Sequence, residues 1–210
     1  MVYIVDSFVF YSRDWNEDRL RDTRLFTRAS FDRHLAGLLL RGPVSRSVAL
    51  DYVTGFSKIN SLERFTQESG EDEAKRFART YRPVAQIDRQ RIDYLYPKRI
   101  DQAVYRHYLA EFDDLARSVR SRGMQLTVVK PPIPERVSRM VPAEREFDAT
   151  FQALLAHHGI QILDFSRVSN DPKFFYDTDH LNRTGVLEFY QNHFAEALGR
   201  GRGFPRPRLP

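Results

Sequence analysis

An aspartate and a histidine three positions apart, Asp177 and His180, stand in the run Phe174-Phe175-Tyr176-Asp177-Thr178-Asp179-His180-Leu181-Asn182-Arg183-Thr184-Gly185. A hydroxyl is a weak nucleophile until a base removes its proton, and neutral imidazole has a pKa suited to that task. A carboxylate that accepts from the opposite ring nitrogen fixes the tautomer and orientation of the imidazole. Three-residue spacing in a tight turn lets the two groups meet without help from distant segments. The pair has the makings of the support half of a nucleophilic triad. Asp179 adds a third potential ligand, but hard and borderline metal ions need more ligands than this turn offers, so neither a metal nor another cofactor is expected.

The elements that must position such a turn are legible in the pattern. Val2-Tyr3-Ile4-Val5 reads as a buried strand ending in Asp6-Ser7. Asp14 to Leu40 reads as two helical pieces, with Leu20, Leu25, Phe26, Phe31, Leu35, Leu38 and Leu39 turned inward. Gly42-Pro43 breaks them, and Ser45 or Ser47 caps a further helix with Val48, Leu50, Val53 and Phe56 as its apolar positions. Residues 67–82 are charged and read as a surface excursion.

A long helix is predicted over residues 98–122, with Val104, Tyr108, Phe112, Leu115 and Val119 on one face and Gly123 beyond its end. Strand Gln125–Val129, helix Ala143–His158, strand Ile160–Leu163 and a final helix after Asn182 follow. That last helix carries the stripe Val186, Phe189, Tyr190, Phe194 and Leu198. Strands alternating with helices predict an α/β fold with a mostly parallel sheet. In such sheets reacting groups gather outside the carboxyl ends of the strands, where a loop leaving residues 160–163 would deliver Asp177 and His180.

Composition narrows the function classes. The absence of cysteine excludes disulfides and thiolate catalysis. The net charge of +5 invites comparison with nucleic-acid-binding proteins, but the arginines are interspersed with acids. With neither a helix-turn-helix nor an aromatic-basic platform, the excess reads as solvated surface, and no nucleic acid is expected as a partner.

The order helix, strand, polar loop, Asp-x-x-His-Leu-Asn, final helix over about Tyr105–Leu198 resembles the C-terminal half of SGNH (GDSL-type) hydrolases. Within that superfamily it is most similar to the envelope acyltransfer branch that includes the D-alanyl transfer proteins. Lys130-Pro131-Pro132 resembles a strand end of the same group. The resemblance implies a three-layer α/β/α domain of flavodoxin-like arrangement over residues 1–198, followed by a disordered basic tail, 199–210. It implies a Ser-His-Asp ester hydrolase or O-acyltransferase with His180 as base and Asp177 as its orienting acid. The implied substrates are acylated small molecules, envelope polymers or polysaccharides, and the implied partner is a membrane-bound acyltransferase.

The family's Gly-x-Ser nucleophile turn and its oxyanion Gly and Asn blocks have no clear counterpart. Two alignments of the N-terminal stretch compete. In one, Val5-Asp6-Ser7 is a degenerate nucleophile block and Ser7 attacks. In the other, residues 2–10 match a later strand of the family, and the nucleophile and a membrane anchor lie upstream of Met1. The second is preferred, because the first sets Val5 where a sharp turn calls for glycine. The first alignment goes with a cytoplasmic chain, since no targeting signal is visible, and the second with a periplasmic or membrane-anchored one. A rival expectation is a non-catalytic relative or fragment that binds a glycan or a protein.

Overall fold

The computed structural model describes residues 1–21, 31–41, 46–55, 75 and 77–201. The chain divides into two compact units, Met1–Tyr11 with Glu73–Pro210, and Ser12–Asp72. Among the described residues no helix is long and apolar enough to cross a membrane.

The first unit is α/β. Strands β1 (Val2–Ile4), β2 (Thr127–Lys130) and β3 (Gln161–Asp164) form a parallel sheet in the order β1-β2-β3. Among the described residues only the middle strand is paired on both sides, and its Val128 and Val129 are buried. The expectation of a buried first strand is corrected: Val2 and Ile4 are 48% and 65% exposed. A short apolar run looks the same in sequence at a sheet edge as at its centre, and here burial begins only at Val5.

Register aligns Tyr3, Val128 and Ile162 on one face of the sheet. Onto that side pack helix α6 (Gln102–Ser121), between β1 and β2, and helix α8 (Glu144–His158), between β2 and β3. The Phe112 ring meets Tyr3 at 5.2 Å and Phe151 at 4.8 Å. Phe10, from the single-turn helix α1 (Phe8–Tyr11), completes the cluster with Phe147 and Phe151, each at 5.2 Å. Aromatic rings packed edge to face dominate this core.

Element ends follow local chemistry. Asp101 caps α6 by accepting from the amides of Ala103 and Val104, which moves the helix start past the predicted residue 98. Gly123 and Gly159 adopt positive φ, 68° and 66°, just beyond α6 and α8, where a residue with a side chain would be strained. The final helix begins as α9 (Arg183–Phe189), widens into a π-helical turn (Tyr190–Phe194) and closes as α10 (Ala195–Gly201), two residues beyond the predicted stop at Gly199. Phe189 and Phe194 both face Phe165, at 5.0 Å and 6.1 Å. Val186 is 40% exposed and so does not belong to the inward stripe.

In the second unit, helices α2 (Arg13–Arg21), α3 (Arg33–Arg41) and α4 (Arg46–Thr54) are described. Its core joins Ala36 and Leu39 to Ala49 and Tyr52. Leu50 and Val53, expected inward, are exposed, as is Phe31, which stacks on Tyr52 at 6.0 Å. A helix whose apolar residues ring most of its circumference gives no unique inward face. The expected roles of Leu25, Phe26, Ser45 and Phe56, most of the excursion at 67–82, and the tail beyond Gly201 fall outside the described residues.

Candidate functional site

Asp177 and His180 are brought together as their spacing predicts. One Asp177 oxygen accepts the backbone amides of Asp179 at 3.1 Å and His180 at 2.8 Å. The residue that orients the ring therefore also builds the turn, as short polar side chains do when they bond the backbone just ahead. His180 Nδ1 donates to both carboxylate oxygens of Asp177, at 3.0 Å and 2.9 Å. The ring stacks on Tyr176, 5.6 Å away and inclined by 13°. Nε2 makes no hydrogen bond among the described residues, and the side chain is half exposed.

The hydrogen bond that Nδ1 donates to Asp177 holds His180 above its ordinary pKa; burial opposes the shift and Asp179 adds to it. For Asp177, burial pushes upward, but the bonds from the His180 ring and backbone outweigh it and leave the carboxyl below its usual range.

The turn is seated from below. Asn182 accepts the Gly185 amide, which starts α9, while its side-chain nitrogen donates to the carbonyls of Arg79 and Lys173 at 2.9 Å and 2.7 Å. An added Cβ at Gly185 would lie 2.1 Å from the Phe174 carbonyl oxygen, so the helix can meet this loop only through a glycine. Asp179, for which the sequence offered no role, forms a two-pronged ion pair with Arg91 of helix α5 (Ala85–Leu95), at 2.9 Å and 3.1 Å. Asp177, Asp179 and His180 present potential ligand atoms within 4.8 Å of one another, but the Arg91 guanidinium already answers the charge of Asp179.

Ser7 lies in the turn between β1 and α1, at the carboxyl end of its strand, and is 2% exposed. Its hydroxyl donates to Glu144 of α8 and lies 2.8 Å from the Tyr96 hydroxyl. With the Ser7 proton directed at Glu144, Tyr96 supplies the proton of the second bond. His180 is not among the hydrogen-bond partners of Ser7, so the structure assembles the acid–base pair and holds Ser7 in a separate network.

That network continues through Lys130 at the end of β2, whose ammonium contacts Glu144 and Asp148 at 2.6 Å each. Burial works against the charge on Lys130, and the two carboxylates outweigh it, holding its pKa above the ordinary value. Ser7, Tyr96, Lys130, Glu144 and Asp148 line one wall of a cleft of about 980 Å³. Asp6 lines it too, and its electrostatic neighbours are Asp179 and His180 from the turn, and Glu144 and Lys130 from the cleft. Burial, with Asp179 and Glu144, pushes the Asp6 carboxyl up to about 6, against the pull of His180 and Lys130.

Sequence reasoning missed Asp6, Arg91 and Glu144 as members of this region. One signal was available for α5: Asp88, Ile92 and Leu95 fall at steps of four and three and are all buried, so an acid sits in an apolar stripe. No family model matches the chain, and neither a curated protein nor a solved structure matches it.

Proposed function

We propose that the protein is a hydrolase or O-acyltransferase of the SGNH type, acting on acyl esters of envelope polymers or polysaccharides. The observation that carries the reading is the His180–Asp177 pair: Nδ1 is held by both carboxylate oxygens, and among the described residues Nε2 has no competing partner. In the reaction, Nε2 takes the proton of the attacking hydroxyl as that oxygen bonds to the acyl carbon. Asp177 stabilises the imidazolium, which then returns the proton to the leaving alkoxide. Water or an acceptor hydroxyl repeats the cycle on the acyl-enzyme. The reading carries with it a three-layer α/β/α arrangement, an acylated substrate, a membrane-bound acyltransferase as partner and no role for nucleic acid.

Ser7 is the candidate nucleophile within this chain, and to act it must leave Glu144 and Tyr96 for Nε2. The test is p-nitrophenyl acetate hydrolysis by the parent chain, His180→Ala, Asp177→Asn and Ser7→Ala. Activity lost in all three variants supports Ser7 as nucleophile. Activity lost in the first two and kept in Ser7→Ala removes Ser7 and keeps the pair. Activity unchanged in His180→Ala sinks the reading. Where hydrolysis occurs, the rate should climb as pH rises through the His180 pKa, above the ordinary histidine value, because only neutral imidazole accepts the proton.

A second reading, a non-catalytic glycan- or protein-binding relative, is favoured by the engagement of Ser7 with Glu144 and Tyr96. An inactive parent chain that binds acylated polysaccharide equally well with and without His180→Ala would establish it.

A further inference from the structure

A second set of charged residues, Asp88 and Arg136, reaches the turn through the Thr178 carbonyl. Asp88, on α5, is 2% exposed. An ionised carboxylate at that depth requires partners, and it has two: the Tyr81 hydroxyl donates at 2.9 Å and Arg136 Nε at 3.0 Å. Arg136 belongs to the short helix α7 (Glu135–Ser138), and its guanidinium lies over the Tyr81 ring at 5.2 Å. Its other prong, Nη2, donates at 3.0 Å to the backbone carbonyl of Thr178. Thr178 sits between Asp177 and Asp179 and is 3% exposed, with its hydroxyl 3.5 Å from that of Tyr81. The Tyr81 amide donates to the Phe175 carbonyl at 2.7 Å.

We infer that Arg136 is a positioning residue for His180: anchored by buried Asp88 and Tyr81, it pins the Thr178 carbonyl and so fixes the turn in which Asp177 meets Nδ1. The inference rests on the acid–base role proposed for the pair, but the geometry it invokes does not depend on any substrate. Two features set Arg136 apart from an ordinary ion-pair residue. A guanidinium carries donors in a rigid fork, so one group can satisfy a side chain and aim at a carbonyl with fixed separation, which lysine cannot do. The bond to Thr178 is also made to the backbone, so it constrains the path of the turn rather than one rotamer.

The sign of one measurement separates positioning from simple charge effects. The charged groups facing His180 are Asp177 and Asp179 within the turn, Arg91 from α5 and Asp6 from the end of β1, and the Tyr176 ring stacks on the imidazole. Removing a nearby cation, with nothing else changed, strengthens proton binding by an imidazole. Letting Thr178 move, and Asp177 with it, weakens proton binding, because the largest upward influence on His180 is its bond to Asp177. In Arg136→Met, the His180 titration followed by NMR should shift downward by about one unit, a tenfold loss of proton affinity. Arg136→Lys should recover only part of the shift.

A folded Arg136→Met protein whose His180 titration is unchanged or moves upward overturns the inference. If that variant yields no folded spectrum, Tyr81→Phe decides, since it keeps Arg136 and removes one hydroxyl that serves Asp88 and lies near the Thr178 hydroxyl. A smaller downward shift upholds the inference, and no shift overturns it. The titration needs no substrate. A downward shift in a protein that hydrolyses no ester keeps the clamp and counts against hydrolysis by this chain; ester hydrolysis that requires His180, with no shift in the variants, does the reverse.

Discussion

Two turns carry the candidate acid–base pair and the candidate nucleophile, and they are built on opposite principles. The Asp177–His180 pair joins residues three apart and is half exposed. Ser7 is buried and bonded to residues 89 and 137 positions away. The first arrangement takes its acid, its base and the amides that shape the turn from one short segment, which Arg136 and Asn182 then anchor to the rest of the unit. The second exists only after β1, α8 and Tyr96 have come together, so it is a product of tertiary folding. The consequence is a division of labour: the turn can carry exposed, titrating chemistry at little cost to stability, while the Ser7 network ties distant segments together.

The largest test of that contrast is Lys130→Met. It leaves Glu144 and Asp148 without the buried ammonium they share; because both carboxylates keep some solvent, the loss is below that of a fully buried pair and about 2–3 kcal/mol. Chemical denaturation should show a loss of that order; a loss below about 1 kcal/mol would mean the network contributes no more than a surface pair.

Asp6 provides the next test. Its folded pKa is about 6 against an ordinary 3.8, so between those values the native chain binds more protons than the unfolded chain. Stability should therefore fall as pH rises from 4 to 6, by roughly 2 kcal/mol from this group, and Asp6→Asn should flatten that part of the profile. A profile with equal slope in both proteins would remove Asp6 from the account.

Ser7→Ala is expected to cost about 1–2 kcal/mol in the same denaturation experiment, because it leaves the Tyr96 hydroxyl without its partner in the interior. Asp177→Asn should cost under about 1 kcal/mol, in keeping with an exposed pair, yet lower the His180 titration toward its ordinary 6.5. The linkage has opposite signs for the two partners. Raised His180 contributes stability that is complete below the ordinary histidine value and is lost as pH rises through the folded one. Depressed Asp177 contributes stability that is present above the ordinary aspartate value and is lost as pH falls through the folded one. Should Asp177→Asn destabilise more than Ser7→Ala, the contrast between a local and a tertiary device fails.

The same contrast explains what could be read in the sequence. The Asp177–His180 pair, the Asn182 cap and the glycines ending α6 and α8 are decided by neighbours within a few residues, and each appears where the pattern implied. The parallel α/β arrangement was legible because strands β2 and β3 alternate with the long helices α6 and α8, each closed by a glycine just before the next strand. Arg91 with Asp179, Arg136 with Asp88, and Ser7 with Glu144 are separated by 88, 48 and 137 positions, and one sequence carries no signal linking them. Nor could it tell that Val2 and Ile4 lie on an edge strand, or that Leu50 and Val53 face outward, since each choice depends on what another segment covers.

The π-helical turn at Tyr190–Phe194 carries one more consequence. On a regular α-helix, residues five apart diverge by about 140° around the axis, so Phe189 and Phe194 could not share a neighbour. The widened turn takes up one residue without advancing the helix face, which is how both rings reach Phe165. The segment thus behaves as a helix with a single-residue insertion already absorbed. A one-residue deletion within it is the length change the fold can best accept there, exchanging one ring on Phe165 for unbroken helical phase.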